Sequence, residues 1–133
     1  MAKDAAAELR RFALDLPGAY EDFPWGDRVA KVGKKIFAFL GAADEAGEPG
    51  EQGERGEQGV GLAVKLRESH EEAIAMDFTT PSGYGLGRHG WVNCSFPPGA
   101  PVPVELLCDW IDESYRLIAA KRLVAELDRR ANS

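Results

Sequence analysis

Tyr20-Glu21-Asp22-Phe23-Pro24-Trp25-Gly26-Asp27-Arg28-Val29-Ala30-Lys31-Val32-Gly33-Lys34-Lys35-Ile36-Phe37-Ala38-Phe39-Leu40 is the stretch from which the fold is read. Its apolar runs are short and are broken by Pro24-Trp25-Gly26 and by Gly33, which marks strands joined by tight turns. The spacing predicts strands near 20–24, 28–32 and 35–40. In the last of these, Ile36, Ala38 and Leu40 alternate with Phe37 and Phe39. Both faces are then apolar, which suits a central place in a sheet.

Outward from this stretch the texture changes. Before it, Ala5, Leu9, Phe12, Ala13 and Leu16 recur at helical spacing behind Asp4, a suitable N-cap, and Pro17-Gly18 stops the helix. After it comes a run with glycine at every third position, Gly47 to Gly59. That is the collagen period, but four triplets with one proline are too few for a triple helix, and the flanking strands must lie close together. The run reads as a disordered acidic loop at about 43–59. Strand character returns at Val60 to Leu66, with Leu62, Val64 and Leu66 inward and Ala63 and Lys65 outward. Ser69 and Glu72 form a capping-box pattern for a short helix to about Asp77. A glycine-rich loop leads to a strand at Trp91 to Phe96, with Val92, Cys94 and Phe96 on one face. A last helix starts near Pro103, with a stripe of Leu106, Leu107, Trp110, Ile111, Ser114, Leu117 and Ile118. Asp112 with Arg116 and Glu126 with Arg130 are spaced to pair on its solvent side. The expected architecture is α+β, an antiparallel sheet covered on one face by helices.

The 133 residues suit one domain, 1–133, with 44% hydrophobic and 29% charged residues. No apolar run approaches the ~20 residues of a membrane span, and the charged N-terminus lacks a signal-peptide core. A cytoplasmic protein without membrane partners is expected. Cys94 and Cys108 are then expected as buried free thiols, and Asn93-Cys94-Ser95 as an unused glycosylation pattern. The net charge of −6 is uneven: residues 44–57 hold six acidic side chains and Arg55, and the remainder is nearly neutral. Charge alone therefore neither marks nor excludes a nucleic-acid binder.

Catalysis finds little material. Histidine is the usual base near neutral pH, and the chain has only His70, in a polar first turn and read as solvated, and His89. No cysteine or histidine pair has zinc spacing, and the acidic loop offers no fixed geometry to a hard cation, so no metal and no cofactor is expected. Gly85-Leu86-Gly87-Arg88-His89-Gly90 matches the dinucleotide pattern G-x-G-x-x-G, but here it precedes a strand, where the fingerprint opens a helix. A non-enzymatic protein is expected. In the same segment Arg88 and His89 lie between glycines, and Trp91 alternates away from the Val92 face and is read as partly exposed. These side chains suit phosphate contact and stacking. They equally suit a structural reading, with Arg88 paired to a carboxylate and Trp91 in the core. Lys31, Lys34 and Lys35 make a basic hairpin tip, which ordinarily is only solvated. Arg122, Arg129 and Arg130 make the C-terminus basic, where cations also complement the helix dipole.

Four stretches in order carry a family resemblance: Leu16 to Gly26, Lys31 to Ala38, Leu86 to Val92, and Ser114 to Lys121. Together they resemble the MmcQ/YjbR family of small bacterial proteins. The resemblance implies a frataxin-like, or double-wing, α/β sandwich and a DNA-binding label. The residues it carries over are Lys35, Arg88, His89, Trp91, Ser114, Tyr115 and Lys121. Two departures stand out: Ala30, where the family usually has an aromatic, and the glycine–glutamate insert, whose charge opposes DNA at that edge. The expected function is DNA binding, with Lys34, Lys35, Arg88, His89 and Lys121 on phosphates and Trp91 stacking. The alternative is a module for a small anionic ligand or a protein partner, lined by His89, Trp91 and Tyr115. A weaker idea borrows the frataxin-like fold and places a metal on the insert's carboxylates.

Overall fold

The structure is a computed structural model that describes residues 5–23, 28–40, 60–81, 90–96 and 101–131. The expected Asp4 cap, the Pro24-Trp25-Gly26 turn, the glycine–glutamate insert with any metal on it, and the loop bearing Arg88 and His89 lie outside these residues. The elements are α1 (Ala5–Leu14), β1 (Ala19–Asp22), β2 (Val29–Val32), β3 (Lys35–Phe39), β4 (Val60–Lys65), α2 (His70–Ile74), β5 (Thr79–Pro81), β6 (Trp91–Phe96), α3 (Val104–Ile118) and α4 (Lys121–Ala131). The strands form one sheet in the order β1-β2-β3-β4-β6-β5, every pairing antiparallel. This is the expected α+β architecture, with α1 and α3 packed on the sheet.

One face of the sheet makes the core. Leu62, Val64, Val92, Cys94 and Phe96 alternate inward from β4 and β6, and meet Leu9 and Ala13 of α1 and Leu107, Trp110 and Ile111 of α3. Ala30 also faces the core and is fully buried, so the small residue there does not open a surface. The simple alternation expected of β3 fails. Ala30 pairs with Ala38, but Lys31 pairs with Ile36, which leaves Phe37 as the extra residue of a bulge. A bulge lets two successive side chains face the same way, and Phe37 and Ala38 both join the core. Alternation counts residues and cannot see a residue dropped from the ladder.

The bulge leaves backbone groups to be satisfied by something other than the next strand. Ser114 of α3 does this. Its hydroxyl donates to the Phe37 carbonyl (2.6 Å) and accepts from the Lys65 N–H (2.9 Å), replacing a rung between β3 and β4. Its neighbours bind two further elements. The Tyr115 hydroxyl donates to the Pro17 carbonyl (2.6 Å), and its ring meets Phe37 edge-on at 5.3 Å. The Glu113 carboxylate accepts the N–H groups of Arg67, Glu68 and Ser69 at 2.7, 2.9 and 3.2 Å. Glu113 therefore caps the entry to α2, where the Ser69 side chain makes no capping bond and the expected capping box does not form. Burial raises the Glu113 pKa, but the N–H groups of Arg67, Ser69 and Glu68 outweigh it and hold the carboxyl below its ordinary value.

The last helix is two. Ala119 takes extended backbone (ψ 155°), and α4 turns back so that Leu123, Val124 and Leu127 reach the core. The Arg116 guanidinium ties the corner, with 2.8 Å bonds to Asp112 and to Asp128. The Asp112 pair was expected. In place of the expected pairing with Glu126, Arg130 donates to the Asp15 carbonyl (2.7 Å). The short edge strand β5 has no counterpart in the sequence reading: three residues ending in proline carry too little pattern.

Two outcomes follow. Ser114→Ala removes both bonds at the bulge and should cost about 2–4 kcal/mol in urea unfolding, because two backbone groups lose their partner; a change below about 0.5 kcal/mol would show that the bulge does not need the hydroxyl. For Glu113 the folded pKa lies below the unfolded one, so its stabilisation is complete above the ordinary carboxylate range and is lost as pH falls through the folded value. The stability difference between the wild type and Glu113→Gln should therefore be constant near neutral pH and shrink below about pH 4. A difference independent of pH would contradict that role.

Candidate nucleic-acid interface

The β2–β3 hairpin supplies the frame. Val32 pairs with Lys35, so Gly33-Lys34 is a two-residue loop, and Gly33 has φ 65°, the left-handed value that such a loop needs at its first central position. Lys34 and Lys35 are exposed at this tip. Beside them, Tyr20 of the edge strand β1 pairs with Lys31, and its hydroxyl donates to the Gly33 carbonyl (2.6 Å).

The fold brings other cations to the same end of the sheet. A Cβ placed on Gly18 would lie 3.1 Å from Leu123 and 3.7 Å from Val32, so Leu123 seats the start of α4 against the chain that enters β1 and the residue before the tip. Lys121 and Arg122, both exposed, thus sit at that end. β4 runs toward the tip and ends at Lys65, which pairs with Trp91, the first residue of β6. The insert joins the opposite end: the chain leaves after β3 at Leu40 and returns to β4 at Val60. Of the expected phosphate contacts, Lys34, Lys35 and Lys121 therefore share one end, while Arg88 and His89 lie outside the described residues.

The basic side chains divide into committed and uncommitted. Arg10 grips Glu21 through two bonds of 2.6 and 2.9 Å, which holds that carboxyl below its usual pKa against the effect of burial. Arg28 approaches the same carboxylate at 3.2 Å. Lys31 pairs with Asp22 at 3.1 Å, and Arg116 and Arg130 are held as described. Lys34, Lys35, Lys65, Arg67, Lys121, Arg122 and Arg11 form no ion pair with a described acidic residue. Lys34 and Lys35 lie at the β2–β3 tip and Lys121 and Arg122 at the start of α4 beside it, while Lys65 and Arg67 lie at the end of β4 that runs toward the tip. Lys65 and Arg67 were not singled out in the sequence, although the outward alternation of β4 already placed Lys65 on the surface. Exposed Glu68, Glu71 and Glu72 flank Arg67, so the positive corner is the one made by the hairpin tip and α4.

Three expected site residues take structural places. Trp91 does point away from the Val92 face, but it is only 8% exposed, and its ring packs edge-on against Phe39 at 5.5 Å. The partial exposure expected of it is corrected by this contact. With Val29 and Ala63, also buried, it lies on the sheet face away from the helices. Tyr115 is fully buried, with its hydroxyl committed to Pro17, and cannot line a surface pocket in this arrangement. Ser114 is likewise consumed by the bulge. Gly90 explains the glycine before Trp91: at φ 95° a Cβ there would lie 2.5 Å from the Leu66 carbonyl oxygen, and its own carbonyl accepts the Leu66 N–H.

The reactive groups elsewhere are quiet. Cys94 and Cys108 are free, as expected; burial pushes the Cys94 thiol up to about 12 and raises Cys108 as well, with Asp109, Glu8 and Glu105 adding to the latter. Cys108 is half-buried rather than buried. His70 is half-buried too, and its Nε2 is shielded without a hydrogen-bond partner, which corrects the solvated reading. Among the described residues no three metal-ligating side chains cluster, and no helix is long and apolar enough to cross a membrane.

Comparison with known proteins agrees with this fold. The solved structure of Deinococcus radiodurans protein DR2400, a DUF419 domain, superposes with a TM-score of 0.61 at 24% identity, over 92% of this chain and 86% of that one. That likeness is one of fold. No curated protein matches the chain. The model of the YjbR family matches residues 14–117, which span the sheet, α2 and nearly all of α3. This chain belongs to the YjbR family.

Proposed function

We propose that this protein is a non-enzymatic nucleic-acid-binding protein that holds phosphates at the corner formed by the β2–β3 tip and the start of α4. The observation that carries the reading is the division of the cations. Arg10, Arg28, Lys31, Arg116 and Arg130 are spent on carboxylates or carbonyls within the fold. Lys34, Lys35, Lys65, Lys121 and Arg122 are left for an external anion. A local positive field can act despite a net charge of −6, because charges beyond a Debye length of about 8 Å are screened at physiological salt. The chain joins the acidic insert at the other end of the sheet.

Arg88 and His89, outside the described residues, stay in the contact set of this reading on the strength of the family resemblance. A pocket for a small anionic ligand has less support, because Trp91 and Tyr115 are buried and only His89 of its lining set is left. The protein is read as cytoplasmic, where nucleic acid is accessible. The non-enzymatic part of this reading is supported by the two thiols, which burial holds protonated near neutral pH.

Affinity for an oligonucleotide should fall steeply with salt, by about 0.9 in log–log slope per phosphate contact on duplex. Arg88→Ala should flatten that slope by about one contact, and Lys34→Ala with Lys35→Ala by about two. Fluorescence anisotropy across a salt series measures this. Absence of binding at ~50 mM salt, with and without residues 43–58, would refute the reading.

A further inference from the structure

We infer that Tyr20 is the stacking platform of this site, and that the site therefore takes single-stranded nucleic acid in preference to duplex. The inference rests on the phosphate-binding reading above and adds the form of the ligand. Lysines on phosphates do not select the single strand, because the duplex presents the denser backbone charge. An aromatic platform discriminates well, since a base must leave its own stack before a ring can lie against it.

Among the described residues, three aromatic side chains compete for the role. Trp91 is excluded by its burial against Phe39. Phe23 is exposed, but the Arg28 guanidinium lies 5.7 Å over its ring, and it follows the far end of β1, where Asp22 pairs with Val29. Tyr20 is 43% exposed and sits at the near end, across from Lys31 of β2, whose turn to β3 carries Lys34 and Lys35. Its hydroxyl is bonded to the Gly33 carbonyl, so the ring is fixed at one edge while much of it faces solvent. That tether reduces the conformational entropy lost on binding, which favours a pre-organised contact. A Cβ at Gly33 would meet no atom within 4 Å, so the turn itself is open on that side.

The test compares a labelled thymidine oligomer of ~12 nucleotides with a blunt duplex of equal length at ~50 mM salt. The wild type should bind the single strand at least ~10-fold more tightly than the duplex. Tyr20→Leu keeps apolar bulk on the edge strand and loses the ring; it should weaken single-strand binding by about 5- to 150-fold and leave duplex binding unchanged. Tyr20→Phe keeps the ring and should stay within about three-fold of the wild type, which separates stacking from damage to the strand. Lys34→Ala with Lys35→Ala should weaken both ligands alike. Equal affinity for the two forms, insensitive to Tyr20→Leu but sensitive to the lysine change, would overturn the stacking role and leave phosphate binding standing. Binding of neither form by the wild type would overturn both.

Discussion

The hydroxyl of Ser114 sits where the sheet would otherwise fail. The bulge at Phe37 in the β2–β3 pairing turns two successive side chains of β3 toward the helices, and the ladder between β3 and β4 stops at Ala38 and Val64. A single hydroxyl, accepting from Lys65 and donating to Phe37, repairs the break from the helix layer. A buried backbone donor or acceptor left alone costs about 1–3 kcal/mol, so the repair is a condition of the bulge. The residues on either side extend it. Glu113 gathers the turn after β4, and Tyr115 fixes the turn before β1. One turn of α3 thus sets where β1, β3, β4 and α2 begin or end.

The proposed site follows from that arrangement. Holding the Pro17 turn places Gly18 under Leu123, and Leu123 fixes the start of α4 beside the Gly33 hairpin. Lys121 and Arg122 come to that corner by way of the α3–α4 break, whose fold-back is tied by Arg116 between Asp112 and Asp128. Arg10, Arg28, Lys31, Arg116 and Arg130 are matched to carboxylates elsewhere on the molecule. Lys34 and Lys35 are brought beside Lys121 and Arg122 by topology, since the two pairs are distant in sequence.

How much of this the sequence could reveal depended on whether the cause was local. Strand periodicity in β4 and β6, the stripe of α3, the Gly33 turn and the four family stretches are local, and each was read correctly. The bulge was missed because alternation assumes an unbroken ladder. The α3–α4 break was missed because Ala119-Ala120-Lys121 reads as good helix, and only tertiary packing of Leu123 and Leu127 rewards the turn. Glu113 was missed because its three partners lie 44 to 46 residues away. Ser114 and Tyr115 were found by resemblance, but their role was not: a matching residue says that a position matters, and burial shows that here it serves the scaffold. Ala30 teaches the same lesson, since it faces the core rather than a ligand.

The central claim is that the hairpin tip and the start of α4 form one anion-binding corner. An amide chemical-shift titration of the intact protein with a single-stranded oligonucleotide at low salt tests it most directly. Shifts clustered at Lys34, Lys35, Lys65, Lys121 and Arg122, with Leu40 and Val60 at the opposite end unmoved, are the predicted result. Shifts centred on Leu40 and Val60, or spread over the exposed face of α3, would contradict it.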